Sequence, residues 1–420
     1  MKDSTKSNRI TNCTTGCWLF CGRTIAETGV NVADDKPYPQ APDIPDNTDA
    51  PPFVNVWARG SGAYRNYRIP SLLVTKSGAL LAFCEGRSGG DTSDVDILVK
   101  RSDDGGVSWS EGTVVWGDPV NVSGNPCPVL DEETGTIWMP MTWNHVDDPQ
   151  PLVMAGTAKY SRLPYMTCST DDGRTWAPAK NIAEETKHPD WRWYGTGPGV
   201  GIQLKRGPHK GRLVTPCNHS AVYPYNQEGY GCHIMYSDDH GTTWKYGAAI
   251  EGIAESQVAE LIDGRILLHG RNQGPAGLHQ KGFAYGLEGG LVWSPLRFDP
   301  NLTEPQCQSS LMRYSWPEEG GRSRLVFANP AGTVRGGSGT YFEREKLVVR
   351  LSYDEGTTWP VTKLLDHRPS GYSCLAALPG GDIGCLYEAG EESSVDRDGC
   401  GLAFTRFSLE WLTDRKDGAR

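Results

Sequence analysis

The chain has 420 residues and a formal net charge of −10, a balance that excludes nucleic acid and anionic membrane surfaces as general partners, because both reward a basic face. It leaves room for an anionic small ligand, since a local group of arginines can hold one inside an acidic protein. Glycine at 51 and proline at 29, with 14 tryptophans and 17 tyrosines, predict an all-β chain of short strands and tight turns.

In chain order, residues 1–52 read as a leader and linker, ending in the Pro/Asp-rich PYPQAPDIPDNTDAPP, which offers little to bury. Cys13, Cys17 and Cys21 would stack on one helical face, but with no histidine beside them a poorly ordered tail is preferred to a metal or disulfide site. No apolar run reaches the roughly 18 residues that cross a bilayer, and Cys17 to Cys21 is short for a secretory leader. The compartment is left open, with a secreted or periplasmic site favoured over the cytoplasm. Strands and turns then alternate without an amphipathic helix, which places the folded unit at 53–412 and a polar tail at 413–420.

Within that unit the string SxDxGxxW recurs as SDDGGVSW from Ser102, STDDGRTW from Ser169, SDDHGTTW from Ser237 and SYDEGTTW from Ser352. The last interval is too long for one repeat, and GLEGGLVW at Gly286–Trp293 fills it as a degenerate fifth copy. The aspartate is expected to cap the turn's amides, the glycine to take a positive φ, and the tryptophan to pack back under the hairpin. Repeats of this length, each a small antiparallel sheet, suit the blades of a propeller. Five marked repeats and one unmarked blade, closed by pairing a strand at Leu402–Leu409 with an early one, predict a six-bladed β-propeller of four-stranded antiparallel blades.

The repeated string is the Asp box, and together with YRIP at Tyr67–Pro70 it resembles the sialidases of glycoside hydrolase family 33, over essentially all of 53–412. The resemblance implies an exo-acting, retaining hydrolase of terminal sialic acid on glycoproteins, glycolipids or oligosaccharides, with no cofactor and no metal. Such a substrate carries a carboxylate on its anomeric carbon, which planar arginines hold better than lysines. Arg68 in YRIP matches the first arginine of the family. Arg271, after Glu255 in ESQVAELIDGRILLHGR, matches the second. The third is placed at Arg344 in REKLVVRLSYDEGTTW, in preference to Arg335 in the long loop before it.

The substrate carboxylate would repel an attacking carboxylate, so a neutral hydroxyl that loses its proton as it attacks is better suited, and sialidases use a tyrosine. Tyr372 in GYSCLAALPGGDIGCLYEAG matches that nucleophile, with Glu255 as its base. The family's usual acidic residue two positions later is here Cys374, which puts the hydrogen bonding near Tyr372 in question. Glu388 matches the carboxylate that orients Arg68. In EGRSGGDTSDVDILVKRS, Asp91 is the expected general acid, ahead of Asp94 and Asp96, and Arg87 resembles an arginine on the sugar's 4-hydroxyl side. TWNHVDD, TGPGVGIQL and GRLVTPCNHS are expected to form central strands and loops. Two other readings stand beside the sialidase. One is the same machinery tuned to another nonulosonic acid, such as the deaminated sugar Kdn, or to transfer; the other is a silent propeller that only binds sialylated glycans, against which Asp91, Glu255 and Tyr372 weigh.

Overall fold

The computed structural model describes residue 44 and residues 49–222, 229–273, 279–332, 334–335, 341–342, 344–390 and 401–418; the Cys13, Cys17 and Cys21 group lies outside them. The chain is all-β: among the described residues the longest helix is the six-residue Gln150–Ala155. Sheets of nine, six, five and seven strands follow in chain order, with a two-stranded pair Val334–Arg335 and Tyr341–Phe342. Among the described residues pairing is antiparallel, except for one parallel bridge between Val95 and Val122 inside the nine-stranded sheet. The earliest strand, Phe53–Trp57, pairs with the last, Gly401–Phe407, so that Phe53 faces Thr405. The two ends of the sheet sequence also share a core in which Trp57, Leu72 and Leu80 pack with Leu386, Leu402 and Phe404.

The Asp boxes do two jobs. In the first, Ser102 Oγ accepts the Gly106 amide at 2.8 Å, while Asp104 accepts the Ser108 amide at 2.9 Å, and the boxes at Ser169, Ser237 and Ser352 repeat this pattern. The degenerate copy has no hydroxyl at Gly286, and its Gly290 amide goes to the Leu287 carbonyl at 2.9 Å instead. The tryptophans reach further than the hairpin they were expected to underpin. Trp109 meets Phe404 of the last strand, Trp176 meets Phe83, and Trp244 meets Trp138, each from another repeat. The box glycines are needed twice over, for positive φ and for this approach: a Cβ on Gly106 (φ 92°) would sit 2.1 Å from Phe404, and one on Gly241 (φ 86°) 2.1 Å from Trp138. The box is thus a turn that also staples one repeat to the next.

Segments at the margins of the expected unit are docked. Ile44 packs on Ala331, Val348 and Leu364, Trp411 Nε1 donates to the Asp49 carbonyl at 2.8 Å, and Arg324 pairs with Asp417 at 2.7 Å.

Candidate active site

The strands Asn66–Val74, Ile253–Glu260 and the latter part of Val361–Ala377 bring their beginnings to one polar cavity of about 390 Å³. Arg68, Arg87, Asp91, Glu255, Arg271, Arg344 and Tyr372 all line it. Glu388 stands just behind, fully buried.

The local sequence explains how Arg68 and Glu388 meet. Ile69 adopts φ 60°, a conformation that costs a β-branched residue about 1–3 kcal/mol, and the strand's register shifts between Arg68 and Ser71. The kink turns the Ile69 amide onto Glu388 Oε1 at 3.0 Å while Arg68 forks onto the same carboxylate, Nε at 3.0 Å and Nη2 at 3.1 Å. Glu388 Oε2 also accepts the Tyr372 amide at 3.0 Å. One buried carboxylate therefore fixes both the first arginine and the tyrosine backbone. Gly371 makes room for it, since a Cβ there would lie 2.1 Å from Glu388 Oε2. Burial works against the charged form of Glu388, but Arg68 and the two amides outweigh it and hold the carboxyl below the ordinary glutamate range.

Tyr372 is almost fully buried, packed on Ile69 and Cys307, with the guanidinium carbons of Arg68 and Arg344 5.4 and 5.5 Å from its ring centre. Its hydroxyl donates a short hydrogen bond to Glu255 Oε1. Arg271 Nη1 donates to Glu255 Oε2 at 2.9 Å and to the Tyr372 oxygen at 3.2 Å. Burial, and then the Glu255 carboxylate, push the phenol's pKa up. Burial opposes ionisation of Glu255 too, yet Arg271 and the Tyr372 hydroxyl prevail and keep its pKa below the ordinary value. The resting pair is thus a neutral phenol hydrogen-bonded to a carboxylate, with a cation touching both oxygens.

Asp91 sits at the mouth with its side chain 52% exposed, paired with Arg87 and 3.6 Å from Arg68 Nη1. Neither Asp94 nor Asp96 lines the cavity; Asp96 accepts the Tyr64 hydroxyl at 2.6 Å. Arg344 Nη2 donates to the Gln306 carbonyl at 2.5 Å. The side chain of Arg335 lies outside the described residues. Cys374 points away into the shared core, its sulfur 3.8 Å from the Leu72 carbonyl.

Several residues that line the cavity or support its wall were not singled out by sequence reasoning. Glu85 takes Arg87 and the Asn125 amide, the latter at 2.7 Å. Lys281 and Glu304 form a buried pair at 2.6 Å that also holds the backbone of Cys307, against which Tyr372 rests. Arg162, Trp193 and Tyr230 line the wall beside Asn144 and Asn218; the last two fall in segments that were read only as central strands and loops. No local motif marks Arg162 in KYSRLPY.

The BNR repeat-like domain family matches residues 78–385. A sialidase of Micromonospora viridifaciens is 34% identical over 376 residues, covering 84% of this chain and 53% of that protein. A sialidase of Bacteroides fragilis is 31% identical, covering 80% of this chain and 62% of that protein. The chain thus spans between half and two thirds of the length of these two relatives. Among solved structures, a Hadza microbial sialidase is similar with a TM-score of 0.73 at 28% identity, over 86% of this chain and 69% of that one. The intramolecular trans-sialidase of Ruminococcus gnavus shares the fold with a TM-score of 0.67 at 20% identity, over 85% and 98%. With most of its folded unit matched, the chain belongs to the BNR repeat-like domain family, and these relatives within reach of its sequence are sialidases.

Proposed function

We propose that this chain is an exo-acting, retaining sialidase that releases a terminal nonulosonic acid from glycoconjugates. The observation that carries the reading is the Tyr372–Glu255 pair inside a cavity that also holds Arg68, Arg271 and Arg344. A site that only bound the sugar would need the cations but not a phenol seated on a carboxylate. The fold reading goes with it: the nine- and seven-stranded sheets each divide into two antiparallel groups, which with the other two sheets make six blades, closed where Phe53–Trp57 joins Gly401–Phe407.

In the first step the three arginines hold the substrate carboxylate. Tyr372 Oη attacks the anomeric carbon as its proton passes to Glu255, while Asp91 delivers a proton to the departing glycosidic oxygen. The product is a tyrosyl glycoside and a free alcohol. In the second step Asp91, now ionised, takes a proton from water as the water oxygen attacks the same carbon, and Tyr372 leaves with the proton held on Glu255. Two displacements retain the configuration. Arg271, which touches both partners, offsets the negative charge wherever it lies along the Tyr372–Glu255 bond.

Tyr372→Phe with an aryl sialoside tests this: turnover should fall at least about a thousandfold while the free sugar still binds. The first-released anomer, read by proton NMR on the wild type, should be the α form. An inverted product, or wild-type turnover in the variant, would overturn the reading.

A further inference from the structure

Among the described residues, each arginine of the cavity has an anionic or carbonyl partner except one. Arg68 holds Glu388, Arg87 holds Glu85 and Asp91, Arg271 holds Glu255, and Arg344 holds the Gln306 carbonyl. Arg162 is 6% exposed, its Nε is buried with no hydrogen-bond partner among the described residues, and its guanidinium carbon lies 4.2 Å from the centre of the Trp193 ring. Glu85 lies near enough to favour the charged form of Arg162, but its oxygens are directed to Arg87 and the Asn125 amide, and among the described residues no hydrogen bond or ion pair joins it to Arg162. Burial lowers the Arg162 pKa to about 10. A cation kept dry without a partner weakens a fold unless a ligand meets it.

A second unmet group lines the same cavity. Asn144 is 2% exposed, its Nδ2 donates to the carbonyls of His145 and Asp148, and the remaining Oδ1 is buried without a donor among the described residues. Two residues of the cavity wall therefore keep, among the described residues, one donor and one acceptor that the fold leaves unused. A hydroxyl satisfies both, accepting from one and donating to the other. An N-acetyl group carries a donor and an acceptor of its own but adds a methyl that has to be seated against a wall of mostly polar side chains, and it is the poorer fit.

We propose that Arg162 and Asn144 are specificity-determining residues that hold a hydroxyl on the ring carbon across from the anomeric centre, so that the preferred substrate is a nonulosonic acid with a 5-hydroxyl in place of the 5-acetamido group. Within the sialidase reading, on which this rests, the carboxylate clamp and Tyr372 fix the anomeric end. The wall of Arg162, Trp193, Asn144 and Asn218 contributes none of the clamp, and it faces what the sugar presents beyond that end.

The test compares aryl glycosides of the deaminated and the N-acetylated sugar, which differ only at that carbon. For the wild type, kcat/KM should favour the hydroxyl substrate at least about tenfold. Arg162→Met, which keeps the stem on Trp193, should lower kcat/KM for the hydroxyl substrate at least about tenfold and for the acetamido substrate less than about threefold, with Asn144→Ala acting in the same direction. The melting temperature of Arg162→Met should be unchanged or raised, since replacing an unpaired buried charge by an apolar chain costs the fold nothing. A wild-type preference for the acetamido substrate, equal losses on both, or a fall in melting temperature of more than about 5 °C overturns the inference. Should the wild type cleave neither glycoside, the sialidase reading fails, and calorimetric binding of the two free sugars decides the inference: tighter binding of the hydroxyl sugar, lost in Arg162→Met, supports it, and equal binding defeats it.

Discussion

Glu388 is the residue through which substrate binding and nucleophile placement depend on one buried charge, and Glu388→Gln isolates that dependence. The carboxylate accepts four hydrogen bonds, two on each oxygen. An amide of the same shape must turn its NH2 towards one pair of donors, either Arg68 Nε with the Ile69 amide or Arg68 Nη2 with the Tyr372 amide, and it removes the buried counter-charge of Arg68, which keeps the half-exposed Asp91 at 3.6 Å. Breaking a buried ion pair from one side costs about 3–5 kcal/mol. For a folded unit of this size that lowers the melting temperature by about 4–7 °C. Because Arg68 and the Tyr372 backbone both lose their anchor, KM should rise and kcat fall together, with kcat/KM down about tenfold to a hundredfold. The pH dependence has a defined sign. The Glu388 pKa is depressed in the folded chain, so its stabilisation is present above the ordinary glutamate value and is lost as pH falls through the folded value. The gap in melting temperature between wild type and variant should accordingly be full at pH 7 and close only as pH falls well below the ordinary glutamate value. Scanning calorimetry across that range, with aryl glycoside kinetics at pH 7, gives both readings. A variant within about 1 °C and twofold in both constants would refute the positioning argument.

Two further expectations follow from single contacts. Arg271 holds Glu255 in its charged form against burial, so Arg271→Met should move the acid limb of the kcat/KM profile to higher pH by about one unit or more, beyond its loss of rate; an unmoved limb would show that Glu255 is not the base. Phe404, 2% exposed and in contact with Trp109 of the first Asp box, joins the last repeat to the first, and Phe404→Ala should cost about 3–5 kcal/mol with kcat/KM nearly unchanged. Differential scanning fluorimetry would contradict this with a shift below about 1 °C.

The repeats were legible in the sequence because the Asp box is local: its serine, aspartate and glycine bond one another within a few residues. The reach of its tryptophan was not legible, because Phe404 lies almost three hundred positions from Trp109 and nothing in the eight-residue string encodes that neighbour. The same division runs through the site. Arg68, Glu255, Arg271, Arg344, Tyr372 and Glu388 stood out through family-like motifs, although Arg68 and Glu388 meet only because sheets from the two ends of the chain pack side by side. Gly371 explains part of the GYS motif, since no other residue admits Glu388 so close. Arg162 carried no signal, because its meaning is the absence of a partner, a property of the folded cavity rather than of any stretch of chain. Tyr230 and Trp193 were hidden for a related reason, as two among many aromatic residues of the strands.

The central claim is that the Tyr372 oxygen forms a covalent bond to the anomeric carbon during turnover. It is tested most directly by treating the protein with 2,3-difluorinated forms of the N-acetylated and deaminated sugars, whose fluorine at carbon 3 slows the second displacement more than the first, followed by mass spectrometry of the intact chain and its peptides. The account predicts the addition of one fluoroglycosyl group per chain, on Tyr372, and none in Tyr372→Phe. An inactivated protein labelled on Glu255, Asp91 or any residue other than Tyr372, or full hydrolytic turnover in Tyr372→Phe, would contradict it.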